Sequence, residues 1–362
     1  MRLFQLRLPG FVGNQIQDSM PFLEPLHKVM NRGDLTVAEA QSAMDLILRG
    51  EVSTPRLAAF LAALRVKGET AAELEGFAHA MRAGCVRIDH GITGEPVLDI
   101  VGTGGDGLKT INVSTLAAFI VASCGIRVAK HGNRSISSAC GAADVLESLG
   151  ARLDLPPERV AASIRELGVG FLFAPALHPA MKHAMPARRE LKTRTIFNIL
   201  GPLTNPASAT VLLVGAPSAH FAELMAHALV ALGLRHGLVA YGEDGLDEVS
   251  LSAPTLVYSI VDGAIARNVL HPSDFGFAPV PLETLRGADP AHNAARIRAL
   301  LDGETGPQRD FVLANSAVAL QSAHRALGRE TSLQDAVQLA AHAIDSGAAR
   351  GLLSRFIAFT SH

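Results

Sequence analysis

The stretch Val97-Leu98-Asp99-Ile100-Val101-Gly102-Thr103-Gly104-Gly105-Asp106-Gly107 decides the fold. Its first five residues form a short, largely apolar run of the kind that makes a buried strand. Four glycines in the next six positions break any regular element. Asn112-Val113-Ser114-Thr115 then opens a helix, read over Leu116 to Cys124. The same order returns at once: a strand over Ile126 to Ala129, a loop, and a helix over Ala142 to Leu149. Further strands are expected at Val211 to Gly215, Leu238 to Tyr241 and Leu256 to Val261, with a helix over Ala219 to Leu232 between the first two. Strands alternating with helices predict βαβ units, hence an α/β fold with a mostly parallel central sheet covered on both faces.

The sequence before this stretch has another period. From residue 21 to about 84 only helical patterns occur. Thr36 with Glu39, and Thr70 with Glu73, each place a hydroxyl three residues before a carboxylate, the reciprocal cap of a helix start. Val37, Ala40, Met44, Ile47 and Leu48 recur at helical spacing until Gly50, and Pro55 opens another helix through Leu64. A small all-helical domain over 21–93 is therefore expected ahead of the larger α/β domain over 94–362. Residues 1–20 are aperiodic and read as an N-terminal extension. The tail from Asp289 to Phe359 reads as helical, with Thr331 and Gln334 as a further capping pair.

Composition narrows the function classes. Of the 362 residues 48% are hydrophobic and 18% charged, enough to bury a large core, so a globular chain is expected. A formal charge of −2 disfavours a broad nucleic-acid binder, and 5% aromatics with no Trp disfavours a base-stacking platform. Apolar runs such as Leu116 to Val121 are too short to span a bilayer, so no membrane partner is expected. Met1 to Gly13 carries Arg2 and Arg7 without an apolar core and is read as no signal peptide. The three cysteines, Cys85, Cys124 and Cys140, lack metal spacing and suit free thiols in a reducing cytoplasm.

The chemistry sits in loops after strands. The Gly102–Gly107 loop presents unscreened backbone N–H groups, and the Asn112 to Thr115 helix start adds hydroxyls and first-turn N–H groups, a setting for phosphate. It is neither a Walker loop nor the G-x-G-x-x-G fingerprint. Lys130-His131-Gly132-Asn133-Arg134, followed by Ser135, Ser137 and Ser138, again lies between strand and helix and suits a phosphate-bearing ligand. Ligands of parallel sheets bind outside the strand C-termini, where both loops fall. Asp247 and Glu248 of Gly245-Leu246-Asp247-Glu248, after the Leu238–Tyr241 strand, could hold Mg²⁺, which takes one or two carboxylates plus phosphate oxygens and water. Arg188, Arg189 and Arg194 offer forks for a carboxylate. His178 and His183 are candidates for catalysis or for plain packing. No nucleophile stands out, which suits a reaction that positions charge and lets a good leaving group depart.

GTGGDG (102–107), NVST (112–115), KHGNR (130–134), RTIFNILGPLTNP (194–206) and GLDE (245–248), in that order, resemble the anthranilate phosphoribosyltransferase family of tryptophan biosynthesis. The resemblance covers nearly all of the chain from about residue 21. It implies transfer of the phosphoribosyl group of 5-phosphoribosyl 1-diphosphate (PRPP) to the amine of anthranilate, with release of diphosphate, the second step from chorismate to tryptophan. It implies PRPP binding by Gly102, Gly105, Asp106, Thr110, Asn112, Val113, Ser114, Thr115, Lys130, Asn133, Ser138 and Ala142. Gly102, Asn133, Arg188, His131 and His178 are then expected at anthranilate, and Ser114, Asp247 and Glu248 at magnesium. It further implies a homodimer paired through the helical domain and a segment near 175–195 that returns to that domain. The family often has Lys-Ser where this chain has Ala139-Cys140, Ser in place of Ala142, and Gly in place of Lys109. Two alternatives stay open at this point: a pyrimidine-nucleoside phosphorylase of the same fold, and a non-catalytic paralogue binding nucleic acid.

Overall fold

A computed structural model describes residues 20–104, 107–135 and 139–361. The extension over 1–19, and Gly105, Asp106 and Ser138 among the expected ligands, lie outside the described residues.

Four helices come first: α1 (Met20–Met30), α2 (Val37–Leu48), α3 (Thr54–Lys67) and α4 (Ala71–Ala83). Both expected caps form. Glu39 N–H donates to Thr36 Oγ1 at 3.3 Å and Glu73 N–H to Thr70 Oγ1 at 3.2 Å, each carboxylate reaching back to the cap N–H. Phe22, Phe60 and Phe77 fill the bundle, with ring centroids 5.2 and 6.2 Å apart in sequence. Burying each such ring contributes roughly 1.5–3 kcal/mol. Helices α2 and α4 approach so closely that a Cβ on Gly76 would lie 2.3 Å from the Val37 carbonyl oxygen.

The larger part follows the expected alternation. In order come β1 (Val97–Gly102), α5 (Val113–Ser123), β2 (Arg127–Gly132), α6 (Ala142–Leu149), α7 (Pro157–Leu167) and β3 (Val169–Phe173). A connecting stretch holds the short helices α8 (Ala174–Leu177), α9 (Met185–Leu191) and α10 (Phe197–Leu200), with 3₁₀ turns at Pro179–His183 and Gly201–Leu203. Then come β4 (Val211–Gly215), α11 (Ala219–Ala231), β5 (His236–Gly242), β6 (Thr255–Val261) and β7 (Ala264–Leu270). The tail forms α12 (Pro290–Leu301), α13 (Pro307–Ala326), α14 (Leu333–Asp345) and α15 (Ala348–Ser361).

The sheet has the order β3-β2-β1-β4-β5-β6-β7. Strands β1 to β5 pair in parallel, and β6 and β7 complete it antiparallel. From β1 the chain winds outward to β2 and β3, and from β4 it winds the other way. The crevice of such a reversal opens at the C-terminal ends of the two central strands. Alternation along each strand divides the core. Leu98, Ile100, Val211, Leu213, Leu238 and Ala240 face α5 and the tail helices. Val101, Leu212, Val214 and Val239 face the side of α11, in one apolar cluster with Phe60, Phe77 and the rest of the helical bundle. The connecting stretch joins that cluster too: Ala184, Ala187 and Phe197 pack with it, and α9 lies against α3.

Two details depart from expectation. The last capping pair is Ser332 with Asp335, whose N–H donates to Ser332 Oγ at 3.0 Å. Thr331 instead meets His324 Nδ1, and Gln334 donates to the Asp274 carbonyl. Helix α5 begins at Val113 with Asn112 as its N-cap residue, yet the Asn112 side chain makes no cap bond.

Candidate active site

A cleft of about 650 Å³ opens at the reversal point, lined by the ends of β1 and β2, the start of α5 and the connecting stretch. At its β1 end, Asp247 is folded under the glycine loop. Its Oδ2 accepts from Gly104 N–H at 2.7 Å and from Thr103 Oγ1 at 3.2 Å. Two glycines make room for it. A Cβ on Gly102 would stand 2.6 Å from Asp247 Oδ2, and one on Gly215 only 1.5 Å from the Asp247 carbonyl oxygen. Glu248 comes next to it along the wall, with its Oε2 3.4 Å from Thr110 Oγ1. Ser114 and Thr115 line the cleft at the first turn of α5, and buried Thr115 Oγ1 has no partner among the described residues. Val113 does not face the cleft: its side chain is fully buried in the core on the α5 side of the sheet. Asn112 lines the wall, but its amide is engaged, donating to the Cys140 carbonyl and accepting from Asn293 Nδ2 at 2.9 Å.

The β2 end is built over a buried carboxylate. Lys130 is 4% exposed, and its Nζ donates to the Ile100 carbonyl at 2.7 Å. Beneath it Asp99, fully buried in β1, accepts from His131 N–H at 3.0 Å and from Asn205 Nδ2 at 2.7 Å. Burial pushes the Asp99 carboxyl up to about 6, against the pull of Lys130 and these donors. Burial also lowers Lys130, opposed by Asp99 and Glu248. Asn133 and Ala142 line the cleft here. Arg134, expected to serve phosphate, is taken up by acids of α6: it pairs with Glu147 through two N–H groups and lies 3.5 Å from Asp144. Asp144 in turn accepts from the N–H groups of Ser135 and Gly141 and so fastens the loop to its helix.

The far end comes from the connecting stretch. Arg188 on α9 is half-buried, 5.5 Å above the Phe197 ring, and desolvation lowers its pKa. No carboxylate pairs with it among the described residues; its recorded polar contact is Met185 Sδ at 3.9 Å. Arg189, one residue on, is exposed and does not line the cleft. His131 and His178 complete this end, with ring centroids 5.2 Å apart. Arg194 lies outside the wall, its carbonyl bound by Arg65 of α3.

Asp99, Asn205 and Asn293 escape sequence reasoning. An acid within an apolar strand was the signal for the first. Asn205 holds Asp99, the Ala129 carbonyl and Ala207 N–H together, which no local pattern announces. Among the described residues, no three or more His, Cys, Asp or Glu side chains converge as a metal cluster.

Family models describe the chain in two pieces. The helical bundle domain of a glycosyl transferase family matches residues 24–85, and the α/β domain of the same family matches 94–350. An anthranilate phosphoribosyltransferase of Solibacter usitatus is 50% identical over 342 residues, 94% of this chain and 99% of the relative. The crystal structure of the Thermus thermophilus anthranilate phosphoribosyltransferase superposes with TM-score 0.87 at 43% identity, covering 93% of this chain and 99% of that one. The Saccharomyces cerevisiae enzyme, in complex with PRPP and Mg, gives TM-score 0.85 at 30% identity over 95% and 99% of the two chains. Agreement over both domains, in sequence and in fold, makes the chain a member of the anthranilate phosphoribosyltransferase family.

Proposed function

We propose that the cleft joins PRPP to anthranilate, with PRPP held at the β1 and β2 ends and anthranilate at the Arg188 end. The transfer breaks the C1–O bond to diphosphate and forms a C1–N bond to the amine. Positive charge develops on the ribose and negative charge on the leaving group, so the site must receive anions without water. Lys130 brings a buried cation with N–H donors to spare. Thr115 and Ser114 bring hydroxyls, one of them buried and unpartnered. Gly102, Thr110, Asn133 and Ala142 shape the wall around them, and Asn112 acts by holding Cys140 and Asn293 in place.

The residues present fit magnesium. Among the described residues both bonds to Asp247 fall on Oδ2, so Oδ1 is the atom that would serve a hard cation beside Glu248 and Ser114. Mg²⁺ supplies charge to the departing diphosphate oxygens when bound. The yeast relative carries PRPP and Mg together.

The observation that carries the assignment of ends is Arg188: a half-buried guanidinium on the cleft wall with no acid partner among the described residues. Such a fork is complementary to a carboxylate. Anthranilate brings one, and gripping it aims the neighbouring amine toward C1. The test is direct. Protein, PRPP, Mg²⁺ and anthranilate are mixed and anthranilate fluorescence is followed; with no Trp and two Tyr the protein background is low. Persistence of the fluorescence would sink the assignment.

We also read the enzyme as a cytoplasmic homodimer paired through its helical bundle. Three free thiols suit a reducing compartment, and exposed Met30 and Val66 leave apolar side chains on the bundle for a partner. Sedimentation of the purified chain at a monomer mass would reject the dimer.

A further inference from the structure

Two parts of the wall proposed for PRPP, the start of α5 and the end of the loop after β2, are separate in sequence. Both are tied to one buried amide of the tail.

Asn293, near the start of α12, is 1% exposed. Its Oδ1 accepts from Ala288 N–H at 2.8 Å, and its Nδ2 donates to Asn112 Oδ1 at 2.9 Å. Asn112 Nδ2 donates in turn to the Cys140 carbonyl at 3.2 Å. The chain of bonds thus runs from a main-chain donor to a main-chain acceptor. An N–H cannot accept and a carbonyl cannot donate. Neither amide between them can therefore turn over without setting two pairs of like atoms against each other. Gly287 makes room for this arrangement: a Cβ there would stand 2.4 Å from Asn293 Oδ1 and 2.9 Å from its Nδ2. The same turn is laced to the run before Asn112, with Gly287 N–H donating to the Lys109 carbonyl at 2.7 Å and Ile111 N–H to the Leu285 carbonyl at 3.1 Å.

Asn112 is half-buried, lines the cleft and makes no cap bond to α5. Its amide nitrogen carries two hydrogens. One goes to Cys140, and the other has no partner among the described residues. Its oxygen is occupied by Asn293. What Asn112 keeps in reserve is thus a donor. An anion bonds to a donor and is repelled by a carbonyl oxygen.

We propose that Asn293 is a positioning residue for PRPP, holding the Asn112 amide so that its NH₂ group and not its oxygen is available to the anionic substrate. This role rests on the reading that places PRPP at this end of the cleft. Asn293 acts through Asn112 and, being buried, touches no substrate itself.

Asn293→Asp keeps the shape and the Ala288 contact but sets a second oxygen against Asn112 Oδ1. It is expected to raise the PRPP KM by about tenfold to a hundredfold, with the anthranilate KM scarcely moved. Asn293→Ala removes the tie without opposing it and is expected to raise the PRPP KM by about two- to fivefold. A role in packing alone gives the reverse order, because alanine leaves the larger void. In an Asn112→Ala background, Asn293→Asp is expected to add less than about twofold, since the amide it acts through is gone. The full effect persisting there would mean repulsion through space and overturns the proposal. So do equal effects on the two substrates, or an alanine variant worse than the aspartate one. NMR of the unaltered protein decides the matter should the Asp variant fail to fold. The Asn112 side-chain NH₂ resonances are expected to shift on addition of Mg²⁺ and PRPP, and those of Asn293 far less; an unmoved Asn112 overturns the proposal. Failure of the unaltered enzyme to consume PRPP would instead reject the substrate reading. Mg²⁺ with inorganic diphosphate is then the probe of the same resonances, and no shift at Asn112 again overturns the role of Asn293.

Discussion

The two ends of the cleft prepare for charge in opposite ways. The end proposed for PRPP is made of main-chain N–H groups, hydroxyls, the buried Lys130 and a carboxylate pair, most of them in short runs of sequence: 102–104, 110–112, 114–115 and 247–248. The far end is made of a lone guanidinium and two neutral rings, drawn from β2, α9 and the connecting stretch. In the proposed reading the first surrounds a highly charged substrate with many dipoles and one buried cation, and the second offers one guanidinium to one carboxylate. Perturbing the first should therefore alter metal and PRPP use, and perturbing the second should alter anthranilate use alone.

The largest effect is expected from Asp247→Asn with Glu248→Gln. Activity at low magnesium should fall by about 10²-fold or more, since charge stabilisation on the leaving group is lost. Raised magnesium should restore part of it. The single Glu248→Gln change should shift the magnesium titration without loosening the glycine loop, because Asp247 alone holds Gly104. An unchanged titration in the double variant would break the division between the ends.

Arg188→Ala comes next. Loss of a charge-assisted, forked contact is worth about 1.5–3 kcal/mol. That is roughly a tenfold to hundredfold-plus fall in kcat/KM for anthranilate, with PRPP scarcely affected. Arg188→Lys keeps the charge but not the fork and should recover only part. Exposed Arg189 is the control, and Arg189→Ala should be close to unchanged. A defect mainly in PRPP use, or equal defects from both alanine variants, would show that the ends are not separate.

The legibility of the two ends differs for the same physical reason. A glycine loop, a helix start and an acidic doublet are local, so the phosphate end and the strand–helix alternation could be read from spacing. Strand β7 could not: it is an edge strand with mostly exposed residues, and its apolar residues do not alternate with polar ones. Strand β3 is short and interrupted by Gly170. Arg134 misled because its acids, Asp144 and Glu147, lie on the next helix, where sequence distance hides the pair. The Val113 side chain shows that a residue inside a binding motif can still point into the core. At the far end the histidines were visible as candidates, but the approach of their rings, and of the Gly201 carbonyl to His131, is made only by the fold.

Asp99 couples the ends and gives a test by pH. Its carboxyl is raised from 3.8 to about 6 in the folded chain, chiefly by burial. Between those values the native state holds a proton that the unfolded chain has released. The stability this group contributes is thus fully present below about pH 4 and is lost as pH rises through about 6, a span worth up to about 3 kcal/mol. Asn has no such titration. The deficit of Asp99→Asn relative to the parent, followed by thermal melts, should therefore be largest near pH 4.5 and shrink toward pH 7.5. A deficit constant with pH would mean that the carboxyl is ionised throughout. Turnover should change by less than in the Arg188 variant, since Asp99 supports Lys130 and His131 from below rather than lining the cleft.

The smallest expected effect is at Lys109, and it asks whether the phosphate end draws on a cation of its own rim. Lys109 lines the cleft with φ at 56°, a left-handed conformation that favours glycine, while its carbonyl accepts from Gly287 N–H at 2.7 Å. A side chain retained there at the cost of strain has a reason to stay. With alanines at 139 and 142 on the same cleft wall, we expect the Lys109 ammonium to add to the charge of Lys130. Lys109→Gly should relieve the backbone and leave the melting temperature unchanged or slightly higher. It should also raise the PRPP KM by about two- to fivefold, the scale of a partly screened single charge of about 0.4–1 kcal/mol. The loss should diminish at high salt, because the contact is solvated, and the anthranilate KM should not move. A higher anthranilate KM, or a PRPP defect insensitive to salt, would place Lys109 at the wrong end or give it a structural role instead.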